Sequence, residues 1–331
     1  LKELAQKIKS SKHIVLSTHR QCDGDGLGAQ MALYFALRKI GKDVRIINVD
    51  ATPKKYHFLK PNSHIQYFEH QKELPAKIDL FIIFDTNDER LVEPLFSAIQ
   101  KLSPATSFVD HHPVLKKGPQ PTALSWIDIT AASTGEMTYN LIKELQIPLD
   151  HDIAHSIYTS ITFDTQLYRF IRNSPVSHLI AAELLTFNIH PEEVHRSLFG
   201  NQTVQKMAFL ARALGQIEYH CEGTLAVLKI KDADLFHYNL EPDDSRDVVD
   251  MVMNIETLEA AILFREDAVN EFKLSLRSKG RVEVLDVAEM MGGGGHLFSA
   301  GAFIKGEYDE LKDKIVHEMS QKLSLVSRTG S

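Results

Sequence analysis

Residues 79–85 read Asp-Leu-Phe-Ile-Ile-Phe-Asp, five apolar residues in a row between two aspartates. A run with no polar face predicts a strand buried on both sides, the habit of parallel sheets in α/β proteins. The chain around it alternates. Upstream, residues 13–17 and 44–49 are β-rich, and between them Met31, Leu33, Tyr34, Leu37 and Ile40 recur near helical period over 28–40, with Gly41 able to end that helix. Downstream, 89–101 reads as helix, 106–109 as strand, and 131–145 and 152–161 as helices. Strands alternating with helices predict a parallel α/β sheet. In such sheets ligands bind beyond the carboxyl ends of the strands, where His19, Asp85 and Asp110 fall.

Further on the texture changes. Residues 175–214 read as wholly helical, with Pro175 and Pro191 as starts. Two hairpin-like pairs follow, 217–220 with 224–229 and 259–264 with 272–277. The run Gly292-Gly293-Gly294-Gly295-His296 reads as a loop, followed by a strand at 301–304, a helix at 308–323 and a tail at 327–331. The expected organisation is a parallel-sheet α/β domain at 1–188, a helical connector at 189–214 and a smaller mixed α/β domain at 215–331. With 331 residues, two domains are the default, since single cores cluster at roughly 100–150 residues.

The composition, 44% hydrophobic and 24% charged, is that of a soluble globular protein. No stretch approaches the run of about 18 apolar residues that spans a bilayer, and the amphipathic opening lacks a secretory h-region. Cys22 and Cys221 make no disulfide framework, so a reducing cytoplasm is the expected location. A formal net charge of −7 argues against a large surface that coats nucleic acid, while leaving room for a short anionic substrate. A homodimer has no readable signature and is left open.

The chemistry lies in acids and imidazoles. His19-Arg20-Gln21-Cys22-Asp23-Gly24-Asp25 follows the first strand, and Asp110-His111-His112 follows the strand at 106–109. Asp85 and Asp164 close two more apolar segments. Carboxylates two apart in a turn, as Asp23 and Asp25 are, can face adjacent ions. Asp85 could bridge two metals, and His111 and Asp164 could complete the second site. A helix beginning near Gly26 would also present free N–H groups to an anion. Any one such aspartate reads better as a turn or helix cap, but that explanation has to be repeated for each residue. An oxygen and imidazole donor set without thiolate favours Mn²⁺, with Mg²⁺ or Co²⁺ fitting as well. Two ions about 3.5–4 Å apart would activate water and clamp phosphoryl oxygens, the chemistry of phosphoester or phosphoanhydride hydrolysis.

The glycine run offers backbone N–H groups to an anion, and His296 adds a donor. On its own it reads more readily as a flexible loop. Arg277, in Ser275-Leu276-Arg277-Ser278, reads equally as a phosphate ligand or as a solvated surface residue. Arg169, five residues after Asp164, has the same ambiguity.

These motifs, in this order, resemble the DHH phosphoesterase family over about residues 1–325: His19-x3-Asp23-x-Asp25, Asp85-Thr86-Asn87-Asp88, Asp110-His111-His112, Asp164 with Tyr168-Arg169-Phe170, and the run Gly292 to His296. One departure is Cys22, where the family usually has proline; no ligand is lost by it. The resemblance implies that His19, Asp23 and Asp85 hold one ion and that Asp25, Asp85, His111 and Asp164 hold another. It places His112 at the scissile phosphate and makes Asp110 its, or its neighbour's, orienting partner. The glycine run, with Gly293, Gly294, Gly295 and His296, resembles that of the DHH-associated C-terminal domain, and with Ser275 and Arg277 it implies a substrate site. Size and the type of second domain point, within the family, to the oligoribonuclease and pAp phosphatase branch. The implied reactions are hydrolysis of short single-stranded RNA, including linear dinucleotides such as pApA, to mononucleotides and removal of the 3′-phosphate from adenosine 3′,5′-bisphosphate (pAp). A pyrophosphatase or exopolyphosphatase, and a non-catalytic nucleotide-binding module, are the alternatives.

Overall fold

The computed structural model describes residues 1–115, 118–200 and 202–329. The chain divides into two units, Leu1–Asn201 and Gln202–Ser331.

The first unit begins with helix α1 (Lys2–Ser10), strand β1 (His13–Thr18), α2 (Gly24–Lys39), β2 (Asp43–Asn48), β3 (Ile65–Tyr67) and β4 (Leu80–Phe84). It continues with α3 (Leu95–Gln100), β5 (Ala105–Asp110), β6 (Trp126–Ile127), α4 (Thr134–Glu144), α5 (His151–Asp164), α6 (Val176–Leu184) and α7 (Pro191–Phe199). The six strands form one sheet in the order β3-β2-β1-β4-β5-β6, every pair parallel. The apolar run 80–84 is its central strand and is wholly buried. Leu80, Ile82 and Phe84 point into the core built with α1, α2, α4 and α5, while Phe81 and Ile83 point into the opposite core with α3. That two-sided burial is why the sequence shows no alternation there. Strand order reverses between β1 and β4, and this reversal opens a crevice at their carboxyl ends.

Several boundaries differ from the sequence reading. The helix expected at 89–101 is a 3₁₀ turn at Glu89–Val92 followed by α3, because Pro94 lacks the N–H a continuous helix would use. The stretch 175–214 is helical in separate pieces, with the starts expected at Pro175 and Pro191 both found. Asn188, in a left-handed conformation, ends the turn after α6, Pro191 opens α7, and Gly200 closes it. The expected connector 189–214 therefore contributes α7 to the first unit and a separate helix to the second, with residue 201 outside the described residues.

That separate helix, α8 (Val204–Leu214), opens the second unit. After it come β7 (Glu218–His220), β8 (Leu225–Lys231), α9 (Asp232–His237), α10 (Arg246–Val252), β9 (Ala260–Ala268), β10 (Glu271–Ser278), α11 (Leu285–Met290), β11 (Gly294–His296), β12 (Ser299–Lys305) and α12 (Tyr308–Thr329). Helix α12 outruns the expected 308–323 and takes in part of the expected tail, whose last two residues lie outside the described residues. The sheet order is β11-β12-β10-β9-β8-β7, antiparallel except for β8 and β9. One face packs Phe272, Leu274, Leu276, Ala300, Ala302 and Ile304 against α11 and α12. The other is covered by α8, α9 and α10 only over β8 and β9. Beyond β9 that face carries half-buried Lys273, Ser275 and Arg277 on β10, half-buried Ser299 and Gly301 on β12, and exposed Phe303.

The glycine run is a loop only at its start, where Gly292 turns with φ +80°. Gly294, Gly295 and His296 pair in register with Gly301, Ala300 and Ser299. The glycines are there because the strand lies so close to β12: a Cβ on Gly293 would stand 1.9 Å from the Gly301 carbonyl oxygen.

Candidate active site

The crevice in the first unit gathers the acids and histidines from four segments. Beyond β1, Asp23 caps α2 and accepts the Asp25 N–H (3.1 Å). The helix starts at Gly24, two residues earlier than expected, so Asp25 sits in its first turn. Gly26 brings that turn against the strand ends; a Cβ there would lie 2.1 Å from Thr18 Oγ1. Asp85 follows β4 in a left-handed conformation (φ +60°), which an aspartate tolerates better than most residues. Asp110 ends β5, His111 and His112 follow it, and Asp164 is the last residue of α5.

His19 donates through Nδ1 to the Arg20 carbonyl (2.8 Å), which turns Nε2 towards Asp85 Oδ2 (3.5 Å) and Asp23 Oδ2 (4.0 Å). His111 donates through Nδ1 to the Ala131 carbonyl (3.2 Å). Its Nε2 stands 3.4 Å from Asp164 Oδ2, 3.6 Å from Asp25 Oδ2 and 3.7 Å from Asp85 Oδ1. The groups His19–Asp23–Asp85 and Asp25–His111–Asp164 each present ligand atoms close enough to hold one ion. Asp85 turns one oxygen to each group.

The surroundings hold these ligands in place. Asp25, almost fully buried, accepts the N–H groups of Thr134 (2.8 Å) and Gly135 (3.1 Å) at the start of α4, and the Ser160 hydroxyl. Asp85 Oδ1 accepts the Thr134 hydroxyl (3.2 Å). Asp110, fully buried, accepts from Asn87 Nδ2 (2.7 Å) and lies 2.8 Å from His112 Nδ1; Asn87 also donates to the His112 carbonyl (3.0 Å).

The electrostatics separate the adjacent histidines. Burial, aided by the charge on His112, pushes His111 down to about 3, so its imidazole is neutral at pH 7. Burial also opposes charge on His112, but the Asp110 carboxylate and its hydrogen bond outweigh it and lift His112 to about 10. Asp110 is held below its ordinary value, His112 and His111 overcoming the cost of its burial. Burial pushes Asp25 up to about 6. Burial and neighbouring carboxylates push Asp85 and Asp164 well above the ordinary carboxylate range. Carboxylates crowded this closely need a compensating positive charge, in the form of protons or a cation. Oxygen and neutral imidazole donors fit a divalent cation. Cys22 is buried in the apolar core and adds no thiolate to the set.

The residues expected at the substrate are placed in two ways. In the second unit, strand register sets Ser275, Gly301 and Gly294 in one row and Arg277, Ser299 and His296 in the next, on the face left uncovered beyond β9. Gly293 and Gly295 flank Gly294 against β12. Arg277 donates to the Leu276 carbonyl (3.1 Å), and its Nε lies 3.9 Å from Asp250 of α10. Arg169 lies in the first unit, exposed after α5, with its guanidinium 5.5 Å from the Phe170 ring centroid.

Four contributors escaped the sequence reading: Asn87, Thr134, Ser160 and Arg172. Arg172 acts electrostatically on both His111 and Asp164; its place three residues after Arg169 was the available signal. Thr134 and Ser160 had none, since hydroxyls inside helices are common.

A reversing parallel sheet with this cluster at its carboxyl ends, followed by a mixed-sheet unit, has known counterparts. Residues 13–161 match the DHH family, N-terminal domain, and residues 222–325 match the DHHA1 domain. The chain belongs to the DHH phosphoesterase family. It is 27% identical to a bifunctional oligoribonuclease and PAP phosphatase NrnA of Thermus thermophilus, covering 94% of this chain and 90% of that one. A protein of the same name from Bacillus subtilis is also 27% identical, over 96% of each. The crystal structure of an exopolyphosphatase-related protein from Bacteroides fragilis superposes with a TM-score of 0.85 at 21% identity, covering 98% of this chain and 97% of that one, and shares the fold. Among the described residues no helix is long and apolar enough to cross a membrane.

Proposed function

We propose that this protein is a two-metal phosphodiesterase and phosphatase that hydrolyses short single-stranded oligoribonucleotides, pApA among them, to mononucleotides and removes the 3′-phosphate of pAp. The observation that carries the reading is Asp85, whose two oxygens face two separate ligand groups across one crevice. The names of the two relatives support the substrate class.

His19, Asp23 and Asp85 would hold one ion and Asp25, Asp85, His111 and Asp164 the other, with Mn²⁺ favoured over Mg²⁺ or Co²⁺. When bound, such a pair supplies an activated water and polarises the phosphoryl oxygens. The chain's own groups do the rest. Neutral His111 offers Nε2 as a ligand, its tautomer fixed by the Ala131 carbonyl. His112, protonated through Asp110, donates a charge-assisted hydrogen bond to the scissile phosphate or a proton to the leaving oxygen. Arg277, Ser275, His296 and the backbone of Gly294 and Gly295 bind a second phosphate; Gly293, also expected there, gives its N–H to the Ala288 carbonyl (2.8 Å) and can only line the site. Arg169 is assigned to the substrate strand. Few cations take part, so the salt dependence of binding is shallow. A reducing, cytoplasmic setting suits such a substrate.

The test is a panel of end-labelled di- to decaribonucleotides and pAp, with pyrophosphate and polyphosphate alongside, assayed with Mn²⁺, with Mg²⁺ and with chelator. Mononucleotides from dinucleotides and AMP from pAp, both abolished by chelation, are expected. Rapid hydrolysis of pyrophosphate with intact RNA would overturn the assignment.

A further inference from the structure

The uncovered face of the second unit carries a feature that phosphate binding does not use. Phe303 lies on the same face as Ser275 and Arg277, because Lys273 pairs with Phe303 as Ser275 pairs with Gly301 and Arg277 with Ser299. It is 63% exposed, and the Lys273 ammonium sits 5.4 Å from its ring centroid. Three rows cross this part of the sheet. Arg277, Ser299 and His296 form a polar row; Ser275, Gly301 and Gly294 form a row with almost no side chain; Lys273 and Phe303 form a third. Successive rows on one face lie about 6.6–7 Å apart. The glycine row is thus a flat shelf between a cationic end and an aromatic wall. Its lateral limit is α10, whose Asp250 approaches Arg277.

Single exposed aromatics are ordinary, and Phe236 is 85% exposed. The placement distinguishes Phe303. An anionic group bound at the Arg277 row leaves the rest of its molecule over the glycines, and a base standing on the glycine row comes beside Phe303. The middle of that row is kept bare by packing: a Cβ on Gly301 would stand 2.6 Å from the Leu274 carbonyl oxygen, so no side chain can grow onto the shelf there without moving backbone.

We propose that Phe303 is a nucleobase-stacking residue, and that the second unit grips one nucleotide of the substrate by phosphate and base together. The proposal rests on the short-RNA reading above. It makes the site one for nucleotides and not for bare phosphate chains, with little preference among bases, since every base has a face to stack.

Isothermal titration of the full chain with pApA in the presence of chelator, where no cleavage occurs, tests it. Phe303→Ala is expected to raise Kd roughly 10-fold, within the range for loss of one stacked base. Phe303→Trp is expected to keep wild-type affinity, and Phe303→Leu, which keeps the apolar volume, to behave like Ala. Two dinucleotides with an abasic ribose at either end complete the set: one should bind wild type as weakly as pApA binds Phe303→Ala and be indifferent to the substitution. Equal affinity of wild type and Phe303→Ala for pApA, or no binding by folded wild type, overturns the proposal. Binding that responds to Phe303 without any cleavage on adding Mn²⁺ leaves the stacking role intact and refutes the hydrolase reading instead.

Discussion

The two candidate binding regions are built by opposite means. In the first unit the ligands are buried, and backbone amides and hydroxyls hold them before anything binds: Asp25 alone receives two N–H groups and a hydroxyl. In the second unit the candidate residues stand half-buried on a sheet face that the unit's own helices leave bare, and the central row is made by leaving side chains out. The contrast follows from what each must handle. Carboxylates forced together need fixed geometry and a compensating charge, whereas a flexible nucleotide needs a flat surface with a few donors at its edge. Changes in the first region should therefore act on turnover and metal, and changes in the second on substrate affinity.

Asp85→Ala should produce the largest effect. It removes the carboxylate facing both ligand groups, and kcat for pApA should fall by about 10³-fold or more, the scale on which a metal supports such chemistry. Calorimetric titration with Mn²⁺ should show loss of both binding events; retained turnover would refute the shared role. Asn87→Ala is expected to lower kcat by about 10–100-fold with little change in KM, the usual cost of losing an orienting partner. A pure KM effect would move Asn87 to the substrate. Arg277→Ala should do the reverse, raising KM by roughly 10-fold through loss of a charge-assisted hydrogen bond while Mn²⁺ affinity stays put. An unchanged KM for dinucleotide RNA would remove Arg277 from the site.

The smallest effect is thermal. Asp25, raised to about 6, and Asp85 and Asp164, both raised well above the ordinary carboxylate range, bind protons more tightly folded than unfolded. In the metal-free protein their protonation contributes stability that is complete below about 3.8, the unfolded value, and is lost as pH rises through the folded values. A divalent ion takes the place of those protons. Saturating Mn²⁺ should thus raise Tm by several degrees at pH 7.5 and by less at pH 5, as read by differential scanning fluorimetry. Equal shifts at both pH values would break the link between the carboxylates and the ion.

Much of this was legible in the order of residues. The uniform burial of 80–84 named the central strand, and acids after apolar runs marked the carboxyl ends. Burial on both faces leaves a strong signature, and so does charge where apolar residues should be. The glycine run misled because flexibility and close packing use the same residue; only the register with β12 separates them. Strands β3 and β6 are too short, at three and two residues, to show a period. Thr134 and Ser160 reach Asp25 and Asp85 from helices more than a hundred, or about fifty, positions away, a distance over which local pattern carries nothing.

Gly26 has a consequence of a different kind. With a Cβ excluded by Thr18, the helix carrying Asp25 meets the strand ends backbone to side chain, with nothing compressible between. The spacing of the acids is set there as in a machined joint, by parts in direct abutment, together with the amides and hydroxyl that hold Asp25 from α4 and α5. A single methyl at residue 26 would strike Thr18 and press on Asp85 at once.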